Sequence, residues 1–312
     1  MNDLTERNYI RQAPALVNGR YSLTKSEGDL VYALLTAINK EDEDFKDYTF
    51  TKAQLEAKLA IKLDTVQLRA TAKSLMSKIL EISRDAEDWE LLSWFSYFAY
   101  KNGIIKCRFD KAMKPYLLEL KQFVLADIRQ IIQMQSEYSR RIYMLLKERA
   151  KFGTRSFKVD ELMDTLEVPK SYKRYSQFKD KVLNQAVKDI NKYTDLEIKN
   201  IGTNKKPVYF EEEKIIRKVD TVTFHFKKNL GDLKSFIEYI RELHTNEALY
   251  HSRDGRLIKC SKKGLLYYAD KIDEWINEKD ALKIWEWLHE NKPKLFIFQA
   301  NLIDYAQGAD NE

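Results

Sequence analysis

Cysteine is nearly absent: Cys107 and Cys260 are the only two in 312 residues. Neither has a CxxC partner, so neither a disulfide framework nor a zinc knuckle is indicated, and both are expected to be small buried hydrophobes. No stretch approaches the roughly 20 uncharged apolar residues that a membrane span needs. The start, MNDLTERNYI, is charged where a signal peptide would be apolar. A soluble, cytoplasmic bacterial protein without a membrane partner is expected. No GxxxxGK[ST] occurs, which leaves a P-loop ATPase unsupported. The four histidines are scattered, and His225, alone in Phe224-His225-Phe226, reads as structural. Glu211-Glu212-Glu213 reads as a solvated loop rather than a metal site, because consecutive carboxylates point in different directions. No catalytic constellation, cofactor or metal is expected.

The segment around which the chain is organised is Ser156 to Lys192. Its first helix runs from about Asp160 to Glu167, burying Leu162, Met163 and Leu166, and Pro169 stops it. A second helix begins near Tyr175 and buries Phe178, Val182, Leu183, Ala186, Val187 and Ile190 at helical period. Its other face carries Gln177, Lys181, Asn184 and Lys188. From Val168 to Lys192 there are seven Lys/Arg against two Asp, with Tyr172 and Tyr175 among them. A short helix, a turn and a longer helix with a polar, positive outer face is what a helix-turn-helix reader of the major groove requires. The bland alternative is a solvated basic face.

The pattern occurs twice. Phe50, Leu55, Leu59 and Ile61 match Phe157, Leu162, Leu166 and Val168, and Leu75, Met76 and Leu80 match Val182, Leu183 and Val187, all at an offset of 107 residues. Val31 to Leu35 match Ile142 to Leu146 at an offset of 111, with the difference falling in the acidic loop Glu41 to Asp44. Three helices in one order favour an internal duplication. Each copy is followed by strand signals: Trp89 to Tyr100, Asn102-Gly103 as a hairpin turn and Ile104 to Phe109 in the first; Leu196 to Ile201, a turn at Gly202 to Pro207 with Lys205 and Lys206, and Val219 to Phe226 in the second. Three helices and a hairpin form the winged-helix plan. The expected fold is α+β, mostly helical: a first winged-helix domain over 1–112, a helical linker over 113–135, a second winged-helix domain over 136–228 and a small C-terminal α/β module over 229–312.

Along the chain, Ala15-Leu16-Val17 suggests a short strand and Asn18-Gly19 a turn. Thr24-Lys25-Ser26-Glu27 and Thr51-Lys52-Ala53-Gln54 are capping boxes, the first opening a helix that ends in Asn39-Lys40. Asp64 or Thr65 caps a long helix to about Glu81, whose outward side holds Gln67, Ala70, Thr71, Ser74 and Lys78, flanked by Arg69 and Lys73. Met113 to Gln135, with Pro115 in a first helical turn and many apolar residues, reads as an ordered helical connection. In the C-terminal part, Leu233, Phe236, Ile237, Ile240 and Leu243 make an amphipathic stripe, and Trp275, Trp285 and Trp287 read as core.

The net charge of +6 is unevenly spread. Residues 1–135 hold 20 Lys/Arg and 19 Asp/Glu, residues 136–228 hold 22 and 14, and residues 229–312 hold 12 and 15. The positive field belongs to the second repeat, which should dominate any phosphate affinity.

Two runs, Pro115-Tyr116-Leu117-Leu118-Glu119-Leu120-Lys121 and Ser136-Glu137-Tyr138-Ser139-Arg140-Arg141-Ile142-Tyr143-Met144-Leu145-Leu146-Lys147, resemble signatures of the iteron-binding plasmid replication initiators. So does Tyr175 to Leu196, with Phe178-Lys179, Val182-Leu183, Ala186, Ile190-Asn191 and Thr194-Asp195-Leu196. The resemblance covers about residues 9–228. It implies two winged-helix domains with pseudo-twofold symmetry, monomers that bind direct repeats at a plasmid origin, and dimers formed through the first domain that bind an inverted repeat over the initiator's own promoter. The acidic balance of residues 229–312 argues against DNA as their main partner and suggests docking onto the body of the protein or onto host replication proteins.

On this reading double-stranded DNA is the ligand. Lys170, Lys173, Arg174, Lys179 and Lys181 would hold phosphates, and Arg174, Gln177 and Asn184 are candidates for base edges. Ser171, Tyr172 and Lys188 complete that surface, and Lys205 and Lys206 would grip the backbone nearby. In the first repeat the candidates are Gln67, Arg69, Thr71, Lys73 and Ser74. A metal-dependent nickase is excluded because no pair of histidines flanks an apolar residue, although Tyr267-Tyr268 offers hydroxyls. A two-domain winged-helix transcription regulator and a protein-interaction scaffold are the competing readings.

Overall fold

The computed structural model describes residues 8–39, 42–84, 87–150 and 152–228, and the strand segments 248–251, 257–261, 264–269 and 274–276. The chain divides into two compact units, 1–227 and 228–312.

The first unit opens with β1 (Tyr9–Gln12) and α1 (Pro14–Asn18). Ala15-Leu16-Val17 is therefore helical rather than extended: Pro14 supplies a preset first-turn φ, and Leu16 and Val17 are buried. In α2 (Lys25–Leu35), Thr24 Oγ1 accepts from the Glu27 amide at 3.3 Å while Glu27 Oε2 accepts from the Thr24 amide at 2.7 Å, the reciprocal cap anticipated above. The helix ends at Leu35, earlier than Asn39. β2 (Tyr48–Thr51) leads into α3 (Lys52–Leu59), which has the second capping box. Ala60, in a left-handed conformation, closes α3.

α4 (Thr65–Met76), capped by Asp64, follows. It stops well short of Glu81, because the chain enters β3 (Ile79–Arg84), paired with β4 (Trp89–Ser93). The periodic match of Leu80 with the helical Val187 is thus broken: Leu80 is a buried strand residue whose neighbours Ile79 and Ile82 are β-branched. β5 (Phe95–Lys101) and β6 (Ile104–Phe109) form the expected hairpin, with Asn102 (φ 51°) and Gly103 (φ 78°) at its tip. Two positive φ values in a two-residue loop suit Asn-Gly and match the twist of the strands. β2 pairs on the other side of β6, giving a three-stranded sheet, and Cys107 is buried in it.

The connection is ordered but not wholly helical. A 3-10 turn (Lys111–Met113) and α5 (Lys114–Leu117, with Pro115 in its first turn) lead to β7 (Val124–Asp127), fully buried and paired antiparallel with β1, and then to α6 (Ile128–Ile131). The partner strand lies more than a hundred residues back in the chain, so nothing local in Val124-Leu125-Ala126 distinguishes strand from helix.

α7 (Glu137–Glu148) carries two consecutive arginines that are almost wholly buried. Arg140 donates to Asp29 Oδ1 at 2.6 Å, Glu137 Oε2 at 3.2 Å and the Met134 carbonyl at 3.1 Å. Arg141 donates to the carbonyls of Val17 (3.2 Å) and Gly19 (2.6 Å), with its guanidinium 3.6 Å from the Tyr21 ring centroid. Gly28 allows α2 and α7 to approach: a Cβ there would lie 2.4 Å from Glu137 Oε2. These contacts tie α7 to α1 and α2.

β8 (Thr154–Lys158), α8 (Val159–Thr165), a 3-10 turn (Lys170–Tyr172), and a continuous helical stretch follow. That stretch comprises α9 (Tyr175–Phe178), a π-helical turn (Lys179–Leu183) and α10 (Asn184–Tyr193). β9 (Leu196–Ile198), β10 (Phe210–Ile215) and β11 (Lys218–Lys228) complete the unit, with sheet order β10-β11-β8 and β9 also on β11. Glu211-Glu212-Glu213 is therefore strand, not loop. Glutamate is a poor strand former, and an unbroken acidic run hides the alternation that would reveal one.

In the second unit β12 (Ala248–His251), β13 (Leu257–Ser261), β14 (Gly264–Ala269) and β15 (Glu274–Ile276) form an antiparallel meander in that order. The stripe from Leu233 to Leu243, and the side chains of Cys260, Trp275, Trp285 and Trp287, lie outside what is described. Among the described residues no helix is long and apolar enough to cross a membrane, and no group of three or more His, Cys, Asp or Glu could hold a metal ion.

Candidate nucleic-acid interface

The helical stretch from Tyr175 is presented by a core that its own sequence builds. Phe178, Val182, Leu183, Ala186, Val187 and Ile190 are all buried. Its far end is locked by side chains in the run quoted above: the Asn191 amide donates to the Ile198 carbonyl at 3.1 Å, and Asn191 Oδ1 accepts from the Ile198 amide at 2.6 Å. Thr194 Oγ1 donates to the Ile190 carbonyl at 2.9 Å. Tyr143 donates to Asp195 Oδ1 at 2.8 Å, and Lys147 reaches the same carboxylate from α7. The Tyr143, Lys147, Asn191, Thr194 and Asp195 side chains thus anchor the far end of this helix, although Asn191 itself stays exposed.

On the outer side Gln177, Lys181 and Lys188 are exposed, while Asn184 is only half-exposed. The π turn carries an extra residue per turn, so an ideal α-helical ridge through all four positions is not kept. Lys170, Ser171, Lys173 and Arg174 are exposed in the preceding turn, and Tyr172 packs partly against the core. Lys181 lies 3.0 Å from Asp180.

Lys179 has a more specific position than a phosphate contact requires. Its ammonium is 2.6 Å from Glu212 Oε1 on β10 and 5.6 Å from the Phe210 ring centroid, and Tyr175 donates to the same Glu212 oxygen at 2.7 Å. Burial pushes the Glu212 carboxyl up, but the hydrogen bonds from Lys179 and Tyr175 outweigh it and hold it below the ordinary range. Burial and that bond push the Tyr175 hydroxyl up. These three residues staple β10 to the start of the Tyr175–Tyr193 stretch, a role the sequence did not reveal.

Two turns follow the helix in the chain. Lys205 and Lys206 are exposed on a tight excursion between β9 and β10, where Asn200 Oδ1 accepts from the amides of Gly202 and Val208, each at 3.0 Å. The hairpin proper is β10–β11, turning at Ile216-Arg217. The Lys205-Lys206 turn expected to grip the backbone is therefore separate from this hairpin.

In the first winged helix Gln67, Arg69, Lys73 and Ser74 are exposed on α4 and Thr71 is half-buried. The Ser74 hydroxyl donates to Glu27 Oε1 at 2.6 Å, which commits its proton to the cap of α2. His225 stands 3.1 Å from Glu211 Oε1 on the central strand β11, and no metal cluster occurs among the described residues.

The fold defines a class: a protein with two winged-helix domains. The chain matches the family described as "Initiator Replication protein, WH1" over residues 9–147 and "Initiator Rep protein, WH2" over residues 158–226. It belongs to that initiator family. A "Replication initiation protein" from Escherichia coli is 26% identical over 228 residues, covering 69% of this chain and 72% of that protein. A solved structure of domains 2 and 3 of RctB aligns with a TM-score of 0.40 at 10% identity, covering 72% of this chain and 93% of that one.

Proposed function

We propose that the protein binds direct repeats in double-stranded DNA at a plasmid origin and starts replication there without enzymatic activity of its own. The observation that carries this is the exposed surface formed by Lys170, Ser171, Lys173, Arg174, Gln177, Lys181 and Lys188 at the start and outer side of a rigidly anchored helix. A helix of this kind enters the major groove, where Arg174 suits guanine and Gln177 or Asn184 suits adenine, while the lysines neutralise phosphates. Lys205 and Lys206 hold backbone next to it. α4 of the first winged helix enters a groove about one helical turn away, with Gln67, Arg69, Thr71 and Lys73 toward DNA. The two winged helices repeat one ancestral unit in pseudo-twofold arrangement.

Dimers form through the first domain and repress the initiator's own promoter in this proposal. The support is an apolar outer face on the β3–β4 pair, where Ile79, Leu91 and Trp89 are 56%, 51% and 59% exposed. Leu91→Lys should lower the weight-average mass in sedimentation equilibrium; an unchanged mass places any dimer contact elsewhere. The action is cytoplasmic, and host replication proteins load at the occupied origin.

A gel shift of the full chain with DNA flanking its gene tests the main claim. Successive complexes on tandem direct repeats support it. Complexes on a single palindrome only would instead make the protein a regulator, and no retardation would leave a protein-interaction scaffold.

A further inference from the structure

The β10–β11 hairpin ends in an unusual tip. Ile215 and Ile216 are 55% and 96% exposed, and Ile216 holds a φ of 58°. A β-branched residue in the left-handed region is strained, and a two-residue hairpin turn ordinarily takes Asn-Gly there, as this chain itself does at Asn102-Gly103. The register also slips between Glu213 and Lys214, a bulge that twists the strand and re-aims the residues beyond it. An exposed isoleucine with strained backbone gains nothing within the unit.

The surroundings say what it faces. Between Glu213 and Asp220 the sequence is Lys214-Ile215-Ile216-Arg217-Lys218-Val219, three cations and no acid. Lys218 is held 2.6 Å from Asp160, leaving Lys214 and Arg217 to flank the tip. The hairpin is stapled to the reading helix through Glu212, and the four residues from there to Ile216 project the tip roughly 13 Å at about 3.3 Å per residue. An apolar point between cations, one short strand away from a major-groove helix, has the chemistry of a minor-groove wedge.

We propose that Ile216, supported by Ile215, enters the minor groove beside the groove read by the Tyr175–Tyr193 stretch and wedges open a base step, so that the protein kinks the duplex it binds. This rests on the DNA-binding reading above and adds a specificity element, since pyrimidine–purine steps unstack most easily and would be favoured at that position.

The test uses the full chain and the flanking-DNA fragment it retards, comparing wild type, Ile216→Asn and Ile216→Met. Asparagine accepts the left-handed backbone, so Ile216→Asn should melt no lower than wild type while removing the wedge. At saturating protein, wild type and Ile216→Met should bend the fragment by roughly 20–90° in end-to-end energy transfer and make thymines at one step permanganate-reactive. Ile216→Asn should form a complex that lacks both signals. A wild-type complex without bend, or an Ile216→Asn complex as bent and reactive as wild type, overturns the wedge and leaves DNA reading intact. Failure of the wild type to retard any flanking fragment overturns the DNA-binding reading and the wedge with it.

Discussion

Arg140→Met removes the cation on which the α2–α7 junction closes. Methionine keeps most of the apolar stem, so the change isolates the guanidinium. Its loss leaves Asp29 and Glu137, whose side chains are 7% and 9% exposed, with one buried positive charge fewer and strands the Met134 carbonyl. Lys25, 2.8 Å from Asp29, and Tyr32, 3.3 Å from Glu137, cannot replace a donor that reached both carboxylates. Breaking a buried pair by removing one partner costs about 3–5 kcal/mol, a large share of the ~5–15 kcal/mol that holds a typical protein together. In urea denaturation at pH 8, followed by circular dichroism, the midpoint should fall by roughly 1–2 M, taking a slope of about 2–3 kcal/mol/M for a protein of this size. The winged helices, no longer clamped, should also begin to unfold in separate steps. Adding Asp29→Asn and Glu137→Gln should recover most of the loss, because a neutral junction strands no charge. A loss under about 1 kcal/mol, or a triple variant no better than the single one, would refute the clamp.

Burial pushes the Glu137 carboxyl up to about 7 from 4.5, against the pull of Arg140 and Arg141. Between those values the folded chain holds a proton that the unfolded chain releases, so stability rises as pH falls from 7 toward 4.5 and is lost as pH climbs through 7, by about 3 kcal/mol in all. The melting temperature of wild type should therefore drop between pH 5 and pH 8 relative to Glu137→Gln; parallel curves would contradict this. Replacing Lys205 and Lys206 together by Ala should flatten the slope of log affinity against log salt by about 2, and an unchanged slope would mean that the excursion does not touch phosphate.

What the sequence made legible was what local chemistry decides. Thr24 and Thr51 cap their helices, Asn102-Gly103 turns its hairpin, and the stripe from Phe178 to Ile190 buries as its spacing requires. What it hid depends on distant partners. β7 is a strand only because β1 lies beside it, β3 because β4 returns to it, and the acidic β10 because β11 pairs with it. Arg140 and Arg141 are buried at the junction because Asp29 and the Val17 and Gly19 carbonyls, all more than a hundred residues back, receive them. Lys179 looked like a phosphate contact and is tied to Glu212. The basic candidates around Gln177 were visible because exposure is the default for such residues. The π turn over Lys179–Leu183 left no trace in residue spacing.

The central claim, that the Tyr175–Tyr193 stretch reads base edges, is tested most directly by Gln177→Ala. Its affinity should be measured on the flanking fragment bound by wild type and on a random duplex of equal length at the same salt. A loss of roughly 1–3 kcal/mol on the first with little change on the second is the predicted result. Equal losses on both, or none on either, would contradict it.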